Sequence, residues 1–343
     1  MKRDMFIRPT ENARTILTYP VLRGYDSMWK RSGTLIFSLL LLIIWGSLSA
    51  GAEVKSSGKI KAFVSILPMT YFVERVGGPN VEVNVLVGPG QDPHTFEPTP
   101  KLMAKLADSQ ILFKIGFPFE ETIIKKVGST FKNLQVIDLQ QGIKLRAMTE
   151  EEVEAEEAEH GHEHSKDGEK HEHSHEAGDM DQHTWLDPRL AKIQARTIAD
   201  TLIRIDPGRK DQYEKNLKDL QTDLDAIHEQ LTKSLAPVKG KSFFVFHPAY
   251  GYFGDAYGLK QIAVQLGGKE PTARQLARLI ELAKEAGVRV IFVQPQFSQK
   301  SAEALSKAIG GAVVPLDDLA PDYLKNLKEM AAKLDSALHS RKK

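Results

Sequence analysis

The most constraining feature of the sequence is an alternation of short β-rich runs with helical patterns, which occurs in two series. Such alternation predicts parallel strands joined by crossover helices. We therefore predict an α/β protein with two lobes, each with a central, mostly parallel sheet flanked by helices. The predicted strands are residues 62–67, 81–87, 111–115 and 134–138 in the first series, and 243–246, 261–264, 288–293 and 312–314 in the second.

Two helices are predicted between the series, because Asp187-Pro188 and Asp206-Pro207 each combine an N-cap acid with a proline at the first helical position. The second helix runs from roughly Arg209 to Leu235, with apolar residues three and four positions apart and charges on the opposite face. At ~1.5 Å per residue it is about 40 Å long, enough to cross from one lobe to the other. Glu97-Pro98-Thr99 and Glu270-Pro271-Thr272 each open a helix, a weak echo consistent with two similar lobes.

Residues 150–181 depart from this pattern, because they are rich in carboxylates and histidines and almost free of apolar side chains. A segment of this composition cannot bury enough surface to fold alone. We predict a flexible His/Glu-rich insertion. Its histidines are His160, His162, His164, His171, His173 and His175.

The N-terminal region predicts export. Trp29-Lys30-Arg31 precedes an apolar run from Leu35 to Trp45, and small residues follow up to Ala52. This order is typical of a cleavable signal peptide, and the run is shorter than the ~18 residues that span a bilayer. Met28 stands directly before the charged region, so we predict translation from Met28 and a mature chain beginning near Glu53.

Composition narrows the function. A net charge of +1 gives no overall case for nucleic-acid binding. The sequence has no cysteine, so disulfides, thiolate metal sites, thiol catalysis and a lipidated cysteine are excluded. Any metal site must use nitrogen and oxygen ligands.

Three histidines outside the insertion follow predicted strands: His94, His183 and His247. The carboxyl ends of parallel strands line the crevice where α/β proteins bind ligands, so the three side chains can converge. Converging neutral imidazoles bind a divalent ion well, and zinc is the natural occupant. Asp317, after the last strand, is the candidate fourth ligand, with water as the alternative. His228 and His339 are predicted to lie on the solvated surface.

Several motifs around these residues resemble the solute-binding proteins of bacterial zinc and manganese ABC importers, the ZnuA/TroA-like family, and most closely its zinc branch. The motifs are Asp92-Pro93-His94 with Glu97-Pro98, His183-Thr184-Trp185-Leu186-Asp187-Pro188, the run from Phe246-His247-Pro248 to Phe253, and Gln294-Pro295-Gln296-Phe297. Their order, the long helix and the His-rich insertion also match, from Ile60 to the end of the chain.

The resemblance implies two lobes joined by one long rigid helix, with metal held in the inter-lobe cleft by His94, His183 and His247. It further implies a periplasmic, monomeric protein that is not an enzyme and that delivers zinc to an inner-membrane ABC permease. Manganese-preferring relatives have a glutamate at the position of His247, so histidine there favours zinc. Some zinc members have an acid directly before the first histidine, where this chain has Pro93, which leaves Asp317 or water as the fourth ligand. Trp185 and Tyr250 are candidates for the cleft wall.

The expected organisation has four parts: an upstream extension and signal peptide over 1–52, an N-terminal lobe over 53–205 that includes the insertion, a connecting helix over 206–238, and a C-terminal lobe over 239–343. For the insertion, the hypotheses are weak zinc collection or sensing near the cleft, or a solvated tether with little role in transport. Alternative functions are a manganese or ferrous-iron binding protein, a secreted zinc hydrolase and surface adhesion. The missing cysteine argues against display as a lipoprotein.

Overall fold

The computed structural model describes residues 58–128, 131–148, 180–263, 273–285, 288–297 and 299–339. The predicted signal peptide, the Met28 start and nearly all of the His-rich insertion lie outside these residues. Met180 and Asp181, at the end of the predicted insertion, are described. Met180 pairs with Ala147 in an antiparallel bridge, and Asp181 is fully buried.

The first sheet contains four parallel strands in the order β2-β1-β3-β4. Hydrophobic runs form these strands, which are β1 (Ile60–Ile66), β2 (Val81–Val87), β3 (Ile111–Lys114) and β4 (Gln135–Asp138). The intervening helices are α1 (Leu67–Gly77), α2 (Pro100–Ala107) and α3 (Pro118–Val127), each with a proline in its first turn. Gly78 ends α1 with a φ of 57°, a conformation that favours glycine.

The second sheet repeats the plan, with four parallel strands in the order β6-β5-β7-β8. The strands are β5 (Ser242–Val245), β6 (Lys260–Ala263), β7 (Val290–Val293) and β8 (Ala312–Pro315). The equivalent strand order agrees with two similar lobes, with which the two Glu-Pro-Thr tripeptides are consistent. The helices that follow its strands are α6 (Gly251–Tyr257), α7 (Ala273–Glu285), α8 (Gln299–Ile309) and α9 (Tyr323–His339).

Two helices link the sheets: α4 (Pro188–Ile205) and α5 (Lys210–Leu235). Asp187 caps α4 as predicted, since its carboxylate accepts a hydrogen bond from the Arg189 amide. Helix α5 buries one apolar stripe against α4, α1 and α9, and so contacts helices from both ends of the chain. The stripe comprises Tyr213, Leu217, Leu220, Leu224, Ile227, Leu231 and Leu235.

The described residues form one compact unit, within which both sheets direct the carboxyl ends of strands to one cleft. In both sheets, the first strand of the series lies in the middle, between the second and third, which creates the topological switch point where α/β proteins bind ligands. In the described part of the chain, no helix is both long and apolar enough to cross a membrane.

Candidate metal centre

The structure brings the three predicted histidines together. One nitrogen from each of His94, His183 and His247 can be chosen so that all three lie within 4.8 Å of one another. The ring centroids of His94 and His247 are 4.6 Å apart, and those of His183 and His247 are 5.3 Å apart. Nitrogen donors spread over both halves of the chain therefore converge on one point.

The spacing of these nitrogens suits a single small ion. Two nitrogens bound to one tetrahedral zinc at about 2.0–2.1 Å lie roughly 3.3 Å apart. The Nε2 atoms of His183 and His247 are 3.3 Å apart. This pair already has the tetrahedral spacing, and a small movement of His94 would complete the set.

His94 lies in the loop between β2 and α2, where Asp92 fixes the turn. The Asp92 carboxylate accepts hydrogen bonds from the His94 amide at 2.9 Å and from the Thr95 hydroxyl at 3.3 Å. Phe117, in the loop after β3, meets the His94 ring edge-on at 5.3 Å. Burial, together with the nearby His183, lowers the pKa of His94 to about 3, so its imidazole is neutral at physiological pH.

His183 is the N-cap residue of a short 3-10 helix, Thr184–Leu186, which lies just before α4. The His183 side chain is 4% exposed. The Asp181 carboxylate lies 2.8 Å from His183 Nδ1 and accepts the His183 amide at 2.9 Å. This contact with the ring directs the opposite nitrogen, Nε2, towards His247. Asp181 is a site residue that the sequence analysis missed, although its position two residues before a candidate ligand was a usable signal.

His247 follows β5, and the side chain of Gln294 clamps its backbone. The Gln294 amide donates to the His247 carbonyl at 3.0 Å and accepts from its N–H at 3.3 Å. Nδ1 of His247 is buried without a hydrogen-bond partner in the described part of the chain. Burial and the two neighbouring histidines hold the pKa of His247 well below its usual range, so this ring is also neutral.

Asp317 is not in the histidine cluster. Its carboxylate accepts hydrogen bonds from the Leu319 amide at 2.9 Å and from the Gln296 side chain at 3.2 Å. The next residue, Asp318, is buried and lines the cleft. Burial raises the pKa of the Asp318 carboxyl to about 7. Of these two adjacent acids, Asp318 lines the cleft with the histidines, whereas Asp317 lies in a turn.

The cleft wall is aromatic, but not with the residues that the sequence suggested. Phe117 and Phe297 line the cleft, whereas Trp185 and Tyr250 are fully buried behind it. Trp185 Nε1 donates to the Asp318 carbonyl at 2.9 Å, and Tyr250 donates to the Leu316 carbonyl at 2.6 Å. These two aromatics support the loop after β8.

The remaining two histidines lie away from the cluster. His339 is exposed and pairs with Asp335, as expected for a surface residue. His228 is half-buried, with its Nδ1 3.3 Å from the Tyr257 hydroxyl, so it is less solvated than its position on α5 suggested. The cleft itself measures ≈ 230 Å³ including its opening to solvent. It is lined by the three histidines, by Asp92 and Asp318, and by Phe117 and Phe297, and the nitrogen and oxygen donors of this set suit a metal ion.

Comparison with known proteins decides the family. Residues 63–337 match the family described as ZnuA, zinc-uptake complex component A, periplasmic. The chain belongs to the ZnuA family. It is 30% identical over 297 residues to a protein of Bacillus subtilis named high-affinity zinc uptake system protein ZnuA, an alignment that covers 84% of this chain and 89% of the relative.

Solved structures agree with the ZnuA assignment. A crystal structure of ZnuA is similar at a TM-score of 0.70 and 37% identity, over 82% of this chain and 99% of that chain. A ZnuA deletion mutant with zinc bound is similar at 0.69 and 37% identity, over 81% and 98%. TroA of Treponema pallidum, at 20% identity and a TM-score of 0.68 over 82% of this chain and 99% of that chain, shares the fold. The predicted family and the predicted α/β fold are thus confirmed.

Proposed function

We propose that this protein captures Zn²⁺ outside the cytoplasm and delivers it to an ABC permease for uptake. The observation that carries the proposal is the convergence of His94, His183 and His247 with nitrogens at zinc-ligand spacing. The rings of His94 and His247 are neutral, so the hydrated ion exchanges water for imidazole with little competition from protons. The ZnuA family is described as a zinc-uptake component, and the Bacillus subtilis relative is named a zinc uptake system protein, which supports this assignment.

Elemental analysis of purified protein tests the proposal most directly. We expect one tightly bound zinc in the wild type and none in His247→Ala, because two imidazoles and water hold the ion far less tightly than three imidazoles. His339→Ala is the matched control, since this histidine is exposed and lies outside the histidine cluster. Zinc content unchanged in His247→Ala would contradict the proposal.

The fourth ligand is proposed to be Asp317, with water as the alternative. Asp318, which lines the cleft, is a further candidate that the structure supplies. Asp317→Asn and Asp318→Asn keep the side-chain shape and remove the charge. If Asp317 binds the ion, its variant should lose about tenfold or more in zinc affinity while the Asp318 variant keeps wild-type affinity. If neither variant loses affinity in a chelator competition titration, water holds the fourth position.

Zinc is preferred over manganese and ferrous iron because the cluster is built from nitrogen donors, which suit zinc better than these harder ions. Competition between the metals for the apo-protein tests this preference, and manganese bound more tightly than zinc would contradict it. The rival function is a secreted zinc hydrolase, and we expect an ester and phosphate hydrolysis screen to show no turnover. We propose a monomeric carrier that binds neither nucleic acid nor an organic substrate.

Export is proposed to use the signal peptide within residues 1–52, with translation from Met28 and no lipid anchor. The absence of cysteine supports the last point, since lipoprotein anchoring requires that residue. The mature protein is divided into a lobe over 53–205, a connecting helix over 206–238 and a lobe over 239–343. N-terminal sequencing of the periplasmic protein should give a start near Glu53.

A further inference from the structure

A buried ion pair between Asp181 and Arg146 lies next to the histidine cluster, and neither residue belongs to the cluster itself. Asp181 is fully buried, and its two oxygens serve different partners. Oδ1 contacts the His183 ring and amide, and Oδ2 lies 2.9 Å from Arg146 Nη1. The Arg146 side chain is only 15% exposed. A buried carboxylate is expensive to keep unless it is paired and hydrogen-bonded, as Asp181 is here.

Arg146 extends this contact to the second half of the chain. Its Nε lies 3.0 Å from the carboxylate of Asp255 in α6, the helix that follows the His247 loop. Tyr252 of the same helix accepts the Arg146 amide at 2.9 Å and donates to the Asp181 carbonyl at 3.1 Å. The segment that orients His183 is therefore attached to the helix that begins four residues after His247.

Gly251 allows this close approach. A Cβ at Gly251 would lie 1.8 Å from Arg146 Nη1 and 2.4 Å from Asp181 Oδ2. No side chain fits within these distances without moving the ion pair. The glycine within the Ala-Tyr-Gly-Tyr-Phe run of the sequence thus has a role in packing the two segments, separate from any contact with the ion.

We infer that Asp181, Arg146 and α6 form a latch that positions two metal ligands together. The Asp181–His183 contact keeps the ring proton on Nδ1, which leaves the lone pair of Nε2 for the ion. Arg146 and the Gly251 contact fix this carboxylate to the helix beside His247. Asp181 and Arg146 are positioning residues that do not touch the ion. The inference rests on the proposed zinc function.

Variants of Asp181 test the orienting role. We expect Asp181→Ala to lose about 10- to 100-fold in zinc affinity, the range typical for removing the partner of a metal-bound histidine. Asp181→Asn keeps an acceptor for Nδ1–H and should lose less. Nitrogen NMR of the apo-protein should show the His183 proton on Nδ1 in the wild type and shifted towards Nε2 in Asp181→Ala. Asp225→Asn, which breaks an exposed ion pair with Lys192, is the matched control.

Gly251→Ala tests the latch without altering a charge. It should lower zinc affinity and shift the His183 proton, whereas Gly58→Ala, where a Cβ meets nothing within 4 Å, should do neither. Circular dichroism checks folding, and if Asp181→Ala does not fold, Asp181→Asn and Gly251→Ala carry the test. Wild-type affinity and an unchanged His183 tautomer in these variants would overturn the latch. Failure of the zinc function itself would instead appear as zinc retained by His247→Ala.

Discussion

At the scale of single residues, the histidine cluster meets two requirements that support each other, because close imidazoles disfavour protonation of one another. Metal ligands must be unprotonated and close together; the fold brings the rings together, and burial lowers the pKa of His94 and His247 by disfavouring the imidazolium form. The rings of His183 and His247 differ in their hydrogen-bond partners. His183 has a carboxylate behind it, whereas Nδ1 of His247 has no partner among the described residues. The bound ion would therefore order His247 more than His183.

Burial of these rings predicts how acid affects the metal-free protein. The pKa of His94 falls from 6.5 to about 3 on folding, so between these values the unfolded chain binds a proton that the folded chain does not. The stabilising contribution is present above pH 6.5 and is lost as the pH falls. It amounts to about 2 kcal/mol at most between pH 6.5 and 5.

Urea unfolding in the presence of a chelator at pH 7, 6 and 5 measures this loss. His94→Asn should show a shallower decline in the free energy of unfolding than the wild type, because asparagine does not titrate. The difference between the two proteins isolates His94 from the opposite effect of Asp318, whose raised pKa disfavours the folded state as the pH rises towards 7. Equal slopes for both proteins would contradict the assignment.

At the scale of elements, hydrophobic periodicity was sufficient to predict most of the fold. All eight strands begin and end within two residues of their predicted limits. The largest differences are at the starts of β1, which begins at Ile60 rather than Ala62, and of β7, which begins at Val290 rather than Val288. The stripe on α5 is buried as the spacing of three and four predicted. These features are predictable because burial of an amphipathic face dominates the stability of a helix or strand.

The site was predictable only in part. Strand ends identified the three histidines, because parallel topology places such residues together. The partners of those histidines were not identified, since Asp181 and Arg146 are 35 positions apart and meet only in the folded chain, next to the bridge of Ala147 and Met180. The wall residues were also assigned incorrectly, because an aromatic residue near a ligand can as easily support a loop from behind as line the cleft.

The stripe on α5 gives a prediction about stability alone. Leu224 is fully buried in the middle of the helix, so Leu224→Ala should lower the free energy of unfolding by about 2–5 kcal/mol through lost burial and a cavity. The exposed Gln230 on the same helix provides the control, and Gln230→Ala should change stability by less than about 0.5 kcal/mol. Urea titration gives both values, and equal effects would contradict the assignment of the buried face.

At the scale of the whole molecule, the cleft depends on both sheets and on the segments between them. His94 comes from a loop of the first sheet, His247 from a loop of the second, and His183 from the segment leading into α4. Met180 pairs with Ala147 and Asp181 is fully buried, so these two residues at the end of the predicted insertion belong to the folded part of the chain. This boundary matters for experiments that remove the insertion.

Two deletions separate the insertion from the site. Replacing residues 150–179 with a short Gly-Ser turn should leave one tight zinc, because Met180, Asp181 and the three ligands remain. Replacing 150–181 should lower zinc affinity about 10- to 100-fold, since His183 loses its carboxylate partner. Isothermal titration gives the stoichiometry and affinity of each protein. Equal zinc affinities for the two deletion variants would show that Met180 and Asp181 are dispensable for zinc binding.

The bridge between Ala147 and Met180 has a consequence for how far the chain between these two residues can change in length. The segments on either side of residues 150–179 pair with each other through the bridge of Ala147 and Met180, and Arg146 and Asp181 form a buried ion pair beside this bridge. The free energy of closing a loop changes by only about 0.6 kcal/mol for each doubling of its length. We therefore expect changes of length within residues 150–179 to cost little free energy of folding and to leave the ligand geometry unchanged.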